Sequence, residues 1–161
     1  MLILGIDPGL QRTGWGVIRH QGSQLSYIEC GVIKPPTDLD LHERLLILNT
    51  CLRAVIDRLQ PHEAAIEETF VSVNGSSTLK LGQARGALLL TLAQSGLPVS
   101  EYAARLVKKS IVGSGSADKA QIGMMVQTLL PASRAKSADA ADALAIAICH
   151  ANHAGTRKLV V

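Results

Sequence analysis

The spacing of apolar residues changes character along the chain, and each change marks an element. Residues 2–6 (LILGI) form a short apolar run that ends in Asp7 and a Pro-Gly break, and GWGVIRH over 14–20 opens a second run. Bounded by turn chemistry, the two read as strands of a hairpin around DPGLQRT. QLSYIECGVI (24–33) follows the Gln-Gly-Ser turn at 21–23 as a third strand. Asp40 with Glu43 three residues on then makes a capping-box start. From there Leu41, Leu45, Leu48, Leu52, Val55 and Leu59 recur at spacings of four and three, one face of a long helix stopped by Pro61.

EAAIEE (63–68) reads as a buried strand and FVSVNG (70–75) as the loop after it. Ser76 or Ser77 is expected to cap a helix running to about Ser95, with Gly96 as its stop. LPVSEY (97–102) is a fifth strand and Ala103 to Val112 a helix. VGSGSADK (112–119) is a Gly/Ser turn in which Ser116 caps a helix carrying Ile122, Met125, Val126 and Leu129 on one face, ended by Pro131. The last helix, from about Ser137 to His153, is apolar on every side between Ala138 and Cys149 except at Asp139 and Asp142. A helix apolar all round is buried. The order β-β-β-α-β-α-β-α, with further helix near the end, is a mixed α/β domain.

Composition narrows this to one domain of 161 residues, whose 47% hydrophobic content supports a core without disulfide or structural metal. No apolar stretch reaches the ~18 residues of a membrane span, and no cleavable leader is expected. Cys30, Cys51 and Cys149 are odd in number and widely spaced, which reads as reduced, mostly buried thiols in a cytoplasmic protein. Charge changes the picture more. Residues 1–70 carry 6 basic and 9 acidic groups, and residues 71–161 carry 10 and 4, so a net −3 half faces a net +6 half. Lys80, Arg85, Arg105, Lys108, Lys109 and Lys119 lie in the basic half, the footprint expected of a nucleic-acid binder, although a solvated lysine-rich surface gives the same count.

Four acids stand against this pattern. Asp7 ends a buried strand, Glu67 lies at the end of another, and Asp139 and Asp142 sit one turn apart on one face of the buried helix. Each has an ordinary alternative. Asp7 suits a turn, Glu67 and Glu68 alternate across a strand, and the helix dipole favours both aspartates in a first turn. Yet buried carboxylates normally find a cation, and that helix face offers none beyond Lys136. Hard divalent ions, which take oxygen ligands, are the other solution, and a pair of them suits phosphoryl displacement.

GIDPG (5–9) with TGWGVI (13–18), AIEETF (65–70), LKLGQARG (79–86), EYAARLVK (101–108), GSADK (115–119) and ADAADALAIAI (138–148) run in order across nearly the whole chain. Together they resemble the RuvC family of bacterial Holliday junction resolvases. The resemblance implies a ribonuclease H-like fold with a mixed five-stranded sheet flanked by helices. It implies a homodimer that cuts four-way DNA junctions by paired nicks, with the branch-migration proteins RuvA and RuvB as partners. It also implies two Mg2+ ions per site, with Mn2+ as a substitute, held by Asp7, Glu67, Asp139 and Asp142, and DNA contacts from Phe70, Lys80, Arg85, Lys108 and Lys119. Gly9 and its turn are then expected to let DNA approach the backbone. Gly82 and Gly86, costly inside a helix, suggest close packing at a dimer contact or in the core. A YqgF-type ribonuclease shares the opening acid and hairpin but lacks LKLGQARG. A non-catalytic junction binder needs the basic surface without the four acids, and a sugar kinase needs a second half. PASRAKS (131–137) and the C-terminal tail match no motif.

Phe70, the single phenylalanine, separates two outcomes. A ring plugging the core makes Phe70→Ala cost ~3–5 kcal/mol. A ring stacking on an unpaired junction base leaves the melting temperature nearly unchanged and lowers cutting of intact junctions more than of nicked ones, because an open site needs less unstacking. A thermal melt beside cleavage of both substrates decides between them, and stacking is the expected result.

Overall fold

The computed structural model describes residues 1–69, 73–135 and 137–157, with side chains up to residue 154. Its elements are β1 (Leu2–Asp7), β2 (Thr13–Gln21), β3 (Gln24–Ile33), α1 (Leu41–Leu59), β4 (Glu63–Glu67), α2 (Gly75–Gln94), β5 (Val99–Tyr102), α3 (Ala104–Val112), α4 (Lys119–Leu129) and α5 (Ala138–Arg157). The strands form one sheet in the order β3-β2-β1-β4-β5. β1, β2 and β3 pair antiparallel, whereas β4 pairs parallel with both β1 and β5, as helical crossovers require. This is the mixed five-stranded sheet the periodicity and the resemblance both anticipate.

Period-two alternation gives the sheet two faces. Leu4, Ile6, Val17 and Ile66 pack with Leu48, Leu52, Leu88 and Leu92 of α1 and α2. Ile3, Ile18 and Ala65 face the other way, onto α3, α4 and the buried residues 144–149 of α5. The apolar-all-round helix is therefore buried as expected, running along β1 and β2.

How close α5 comes is set by glycine. A Cβ on Gly5 would stand 2.1 Å from the Ala143 carbonyl oxygen, and one on Gly14 2.0 Å from that of Asp139. Gly16, the cross-strand partner of Gly5, lies under the Leu144 side chain, where a Cβ would come within 2.6 Å. At its far end α5 is held by a buried polar contact. His150 Nε2 lies 2.6 Å from a Glu63 carboxylate oxygen of β4, and Nδ1 lies 2.9 Å from the Tyr102 hydroxyl of β5.

Several local expectations need correction. Asn74, not Ser76 or Ser77, caps α2 by accepting from the Ser77 N–H, because the helix starts earlier, at Gly75. Asp118, not Ser116, caps α4 in a capping box with Gln121, while Ser116 pairs with Ser114 in the turn before it. Gly9 is also required by the turn, beside the expected approach of DNA: a Cβ there would lie 2.3 Å from the Arg12 carbonyl, and Thr13 Oγ1 ties the turn shut by donating to the Gly9 carbonyl at 2.7 Å. Cys51 is exposed, unlike the buried Cys149. Gly82 and Gly86 do not pack in the core, since a Cβ at either would meet nothing within 4 Å.

Gly14→Ala drives a methyl into the Asp139 backbone. Overpacking of this kind costs ~1–3 kcal/mol, and here it also lifts the first turn of α5. The expected result is a modest fall in melting temperature with a much larger loss of activity from the acids that turn carries. Activity retained in proportion to folded protein would show that the α5 terminus tolerates the shift.

Candidate active site

Asp7 and Glu67 end neighbouring parallel strands. Gly5 pairs with Ala65 and Ile6 with Ile66, so both acids fall two residues beyond a matched pair, on the α5 face. Asp139 and Asp142 occupy the first turns of α5, and the Asp139 backbone is seated over Gly14. A cleft of about 230 Å³ results, lined by Asp7, Glu67 and Asp142, by Lys108 of α3 and Lys119 of α4, and by apolar Val107, Ile122 and Ala145. Three of the four acids isolated from sequence thus line one cleft, and Asp139, one turn before Asp142, lies near enough for its charge to act on Asp7.

Their environment is costly for negative charge. Burial, then the charges of Glu67, Asp142 and Asp139, push the Asp7 carboxyl up to about 8. Burial, with Asp142 beside it, raises Glu67, and burial likewise raises Asp142 although Lys119 opposes it. Lys119 is raised in turn by Asp142, 3.4 Å away. Asp139 finds a different partner, Arg12, whose Nε lies 2.9 Å from Oδ2. Among the described residues the helix face carries no cation of its own; the β1–β2 turn and the start of α4 supply them.

This donor set fits a hard divalent cation in its chemistry: carboxylate oxygens only, partly buried, and mutually repelling. It is not a closed cage. Among the described residues no three acid, His or Cys side chains stand close enough to hold an ion as placed, and Asp139 and Asp142 are each paired with a side-chain cation. Loading an ion on all four acids means exchanging Arg12 and Lys119 for it.

The basic residues divide. Lys108 and Lys119 line the cleft. Arg85 turns inward: its Nε donates to the Glu67 carbonyl at 2.9 Å and its guanidinium pairs with Glu101. Lys80 is exposed and lines a separate cavity across the β1–β2 turn. Phe70 and Lys136 lie outside the described residues. Arg12 is the residue that sequence reasoning passed over, because its place in a turn gave no hint of the acid it meets.

Comparisons with known proteins bear on the family and the fold. A sequence model of the family described as crossover junction endodeoxyribonuclease RuvC matches residues 3–150. The chain is 60% identical over 153 residues to the crossover junction endodeoxyribonuclease RuvC of Xanthobacter autotrophicus, covering 95% of this chain and 90% of that protein. It is 59% identical to the protein of that name from Paramagnetospirillum magneticum, covering 98% and 95%. Among solved structures, Thermus thermophilus RuvC in complex with a Holliday junction substrate superposes with a TM-score of 0.90 at 32% identity, covering 98% of this chain and 96% of that one.

Proton linkage gives a prediction. The folded Asp7 carboxyl titrates near 8 against a reference value of 3.8, so in this pH range the folded state holds a proton that the unfolded chain has released. The stability this contributes is complete below about pH 4 and lost as pH rises through about 8. Raised Glu67 and Asp142 act in the same direction, whereas Glu29, lowered by Arg58, acts only below its reference value of 4.5. In chelator, the melting temperature should fall from pH 5 to pH 9, and Asp7→Asn should flatten that slope and melt higher at pH 8. A gain of ~2 kcal/mol corresponds to about 4–8 °C for a chain of this size. Parallel curves for variant and parent would show that Asp7 is not held protonated.

Proposed function

The chain belongs to the RuvC family of crossover junction endodeoxyribonucleases, and from that premise we propose that Asp7, Glu67, Asp139 and Asp142 form its catalytic centre. The substrate is four-way junction DNA and the reaction is phosphodiester hydrolysis by paired symmetric nicks. The observation that carries this reading is the meeting of Asp7, Glu67 and Asp142 with two lysines in one cleft, with Asp139 near enough for its charge to act on Asp7. Divalent cations, for which we propose two Mg2+ per site with Mn2+ as a substitute, supply Lewis-acid and water-activating chemistry when bound.

The chain's own residues do the rest. Asp7 and Glu67 project from a rigid sheet, so their spacing is fixed before substrate arrives. Arg85 holds the end of β4 through the Glu67 carbonyl, a positioning role in place of the DNA contact expected from sequence. Lys119, with 74% of its side chain exposed, stands at the mouth of the cleft. Released from Asp142, it is placed to neutralise charge on the scissile phosphate, with Lys108 from the neighbouring helix.

Paired nicks call for two active sites, hence a homodimer. The outer face of α2 supports this: Leu79 and Leu90 are exposed at 63% and 57%, and Gly82 and Gly86 between them leave a shallow strip open to close helix approach. Membership of the family extends the reading to partnership with RuvA and RuvB and to action in the cytoplasm. Among the described residues no helix is long and apolar enough to cross a membrane.

Incubation with a synthetic four-way junction and magnesium should give symmetric paired nicks. Each of Asp7→Asn, Glu67→Gln, Asp139→Asn and Asp142→Asn should cut at least ~100-fold more slowly while binding the junction as well or better, because no variant adds negative charge and loss of a carboxylate removes repulsion of phosphate. Leu90→Glu should shift the protein to monomer by light scattering and uncouple the two nicks. Full cleavage by any amide variant removes that residue from the centre, and a junction that is bound but never cut makes the protein a binding module.

A further inference from the structure

On the opposite side of the β1–β2 turn from the acids lies a second cavity, of about 320 Å³, lined by Gly9, Gln11, Arg12, Arg44, Ser77 and Lys80 among others. Three cations converge there from the turn, from α1 and from α2, and no carboxylate is among the lining residues. Arg44 is fixed in place: Nη2 donates to the Leu10 carbonyl at 3.1 Å, and Nε is buried without a hydrogen-bond partner. Arg12 differs from the other two. It lines this cavity, yet its Nε holds Asp139 at 2.9 Å with half of its side chain exposed. One guanidinium therefore stands between a cationic cavity and an acid of the proposed centre.

We infer that this cavity receives a backbone phosphate of the bound DNA strand, and that Arg12 passes from Asp139 to that phosphate as the strand docks. The inference rests on the junction-cutting reading and adds to it a coupling device. A phosphate suits the cavity because its oxygens accept paired N–H donors from guanidinium groups and offset the repulsion among the three cations. The step breaks one ion pair and forms another, with no covalent change. Its consequence falls on Asp139. Without DNA, Arg12 competes with a divalent ion for that carboxylate; with the phosphate docked, the competitor is withdrawn. Binding linkage is reciprocal, so an ion on Asp139 must strengthen phosphate docking by the same factor that docking strengthens the ion. The centre is thereby kept weak for cations until substrate is in place.

The test uses the full chain and measures binding, not only cutting. Mn2+ affinity without DNA is read from free Mn2+ by electron paramagnetic resonance, and junction affinity by fluorescence anisotropy, in EDTA and in Ca2+. Arg12→Ala should bind Mn2+ roughly 3–10-fold more tightly, bind the junction in EDTA more weakly, and lose most of the gain in junction affinity that Ca2+ gives the parent. Arg44→Ala and Lys80→Ala should weaken junction binding while leaving Mn2+ affinity unchanged, which separates the cavity from a general change of charge near the acids. Arg12→Lys keeps the charge without the paired donors and should fall between parent and Arg12→Ala. Unchanged Mn2+ affinity in Arg12→Ala, or unchanged junction binding in both cavity variants, overturns the inference while the parent still binds and cuts junctions. A parent protein that binds no junction overturns the underlying reading instead.

Discussion

Everything in the proposed centre depends on how near α5 lies to the sheet. At Gly5 and Gly14 the helix backbone itself comes against β1 and β2, because neither residue offers a Cβ to hold it off. Alanines at 143, 145 and 147 keep the helix itself thin, and all three are fully buried. A helix held off by ordinary side chains would sit farther from the sheet, and acids on it would then stand farther from the strand-borne acids with which they are to share an ion. Gly5 and Gly14 of the opening hairpin therefore belong to the geometry of the proposed centre, although neither carries a functional side chain.

That closeness gathers negative charge where burial penalises it, and the fold meets the cost with borrowed cations. Asp7, the innermost acid, carries the penalty as a raised pKa. Asp139 and Asp142 face the Arg12 guanidinium and the Lys119 ammonium. Half-exposed pairs of this sort are individually worth little, ~0–1 kcal/mol, and low worth is what an exchangeable partner requires. A fully desolvated pair would hold the acids too firmly for a metal or a phosphate to displace it.

The sequence made legible whatever is encoded over a few residues. Strand runs, the Asp40–Glu43 start, the Leu41–Leu59 stripe and the buried final helix are local patterns, and each stands in the structure where periodicity put it. The acids were visible for the same reason: a carboxylate interrupting an apolar run is a local contradiction. Their partners were not. Arg12 and Asp139 lie at opposite ends of the chain, and only the seating of α5 over Gly14 brings them together. Arg85 read as a free cation because nothing nearby in sequence announces Glu101 or the Glu67 carbonyl. The caps of α2 and α4 were misplaced by a smaller version of the same fault, since serine, asparagine and aspartate all cap and the helix start decides among them.

The two ends of α5 are secured by different physics, and the difference suits the reading of the centre. At the far end His150 sits buried between Glu63 and Tyr102. With the Glu63 carboxylate accepting from Nε2–H, Nδ1 is left to accept the tyrosine hydroxyl, so every ring nitrogen is satisfied. Such a contact is expensive to open, because breaking it leaves polar groups buried without partners. At the near end the helix is seated on glycine and its acids face cations that solvent can reach. One end fixes the helix against β4 and β5; the other presents carboxylates whose partners can change without moving the backbone. A centre that exchanges cations in the proposed way needs both properties in one element. A helix loosely held at each end would let the acids drift as Arg12 and Lys119 depart, and one locked at each end would leave them nothing to exchange.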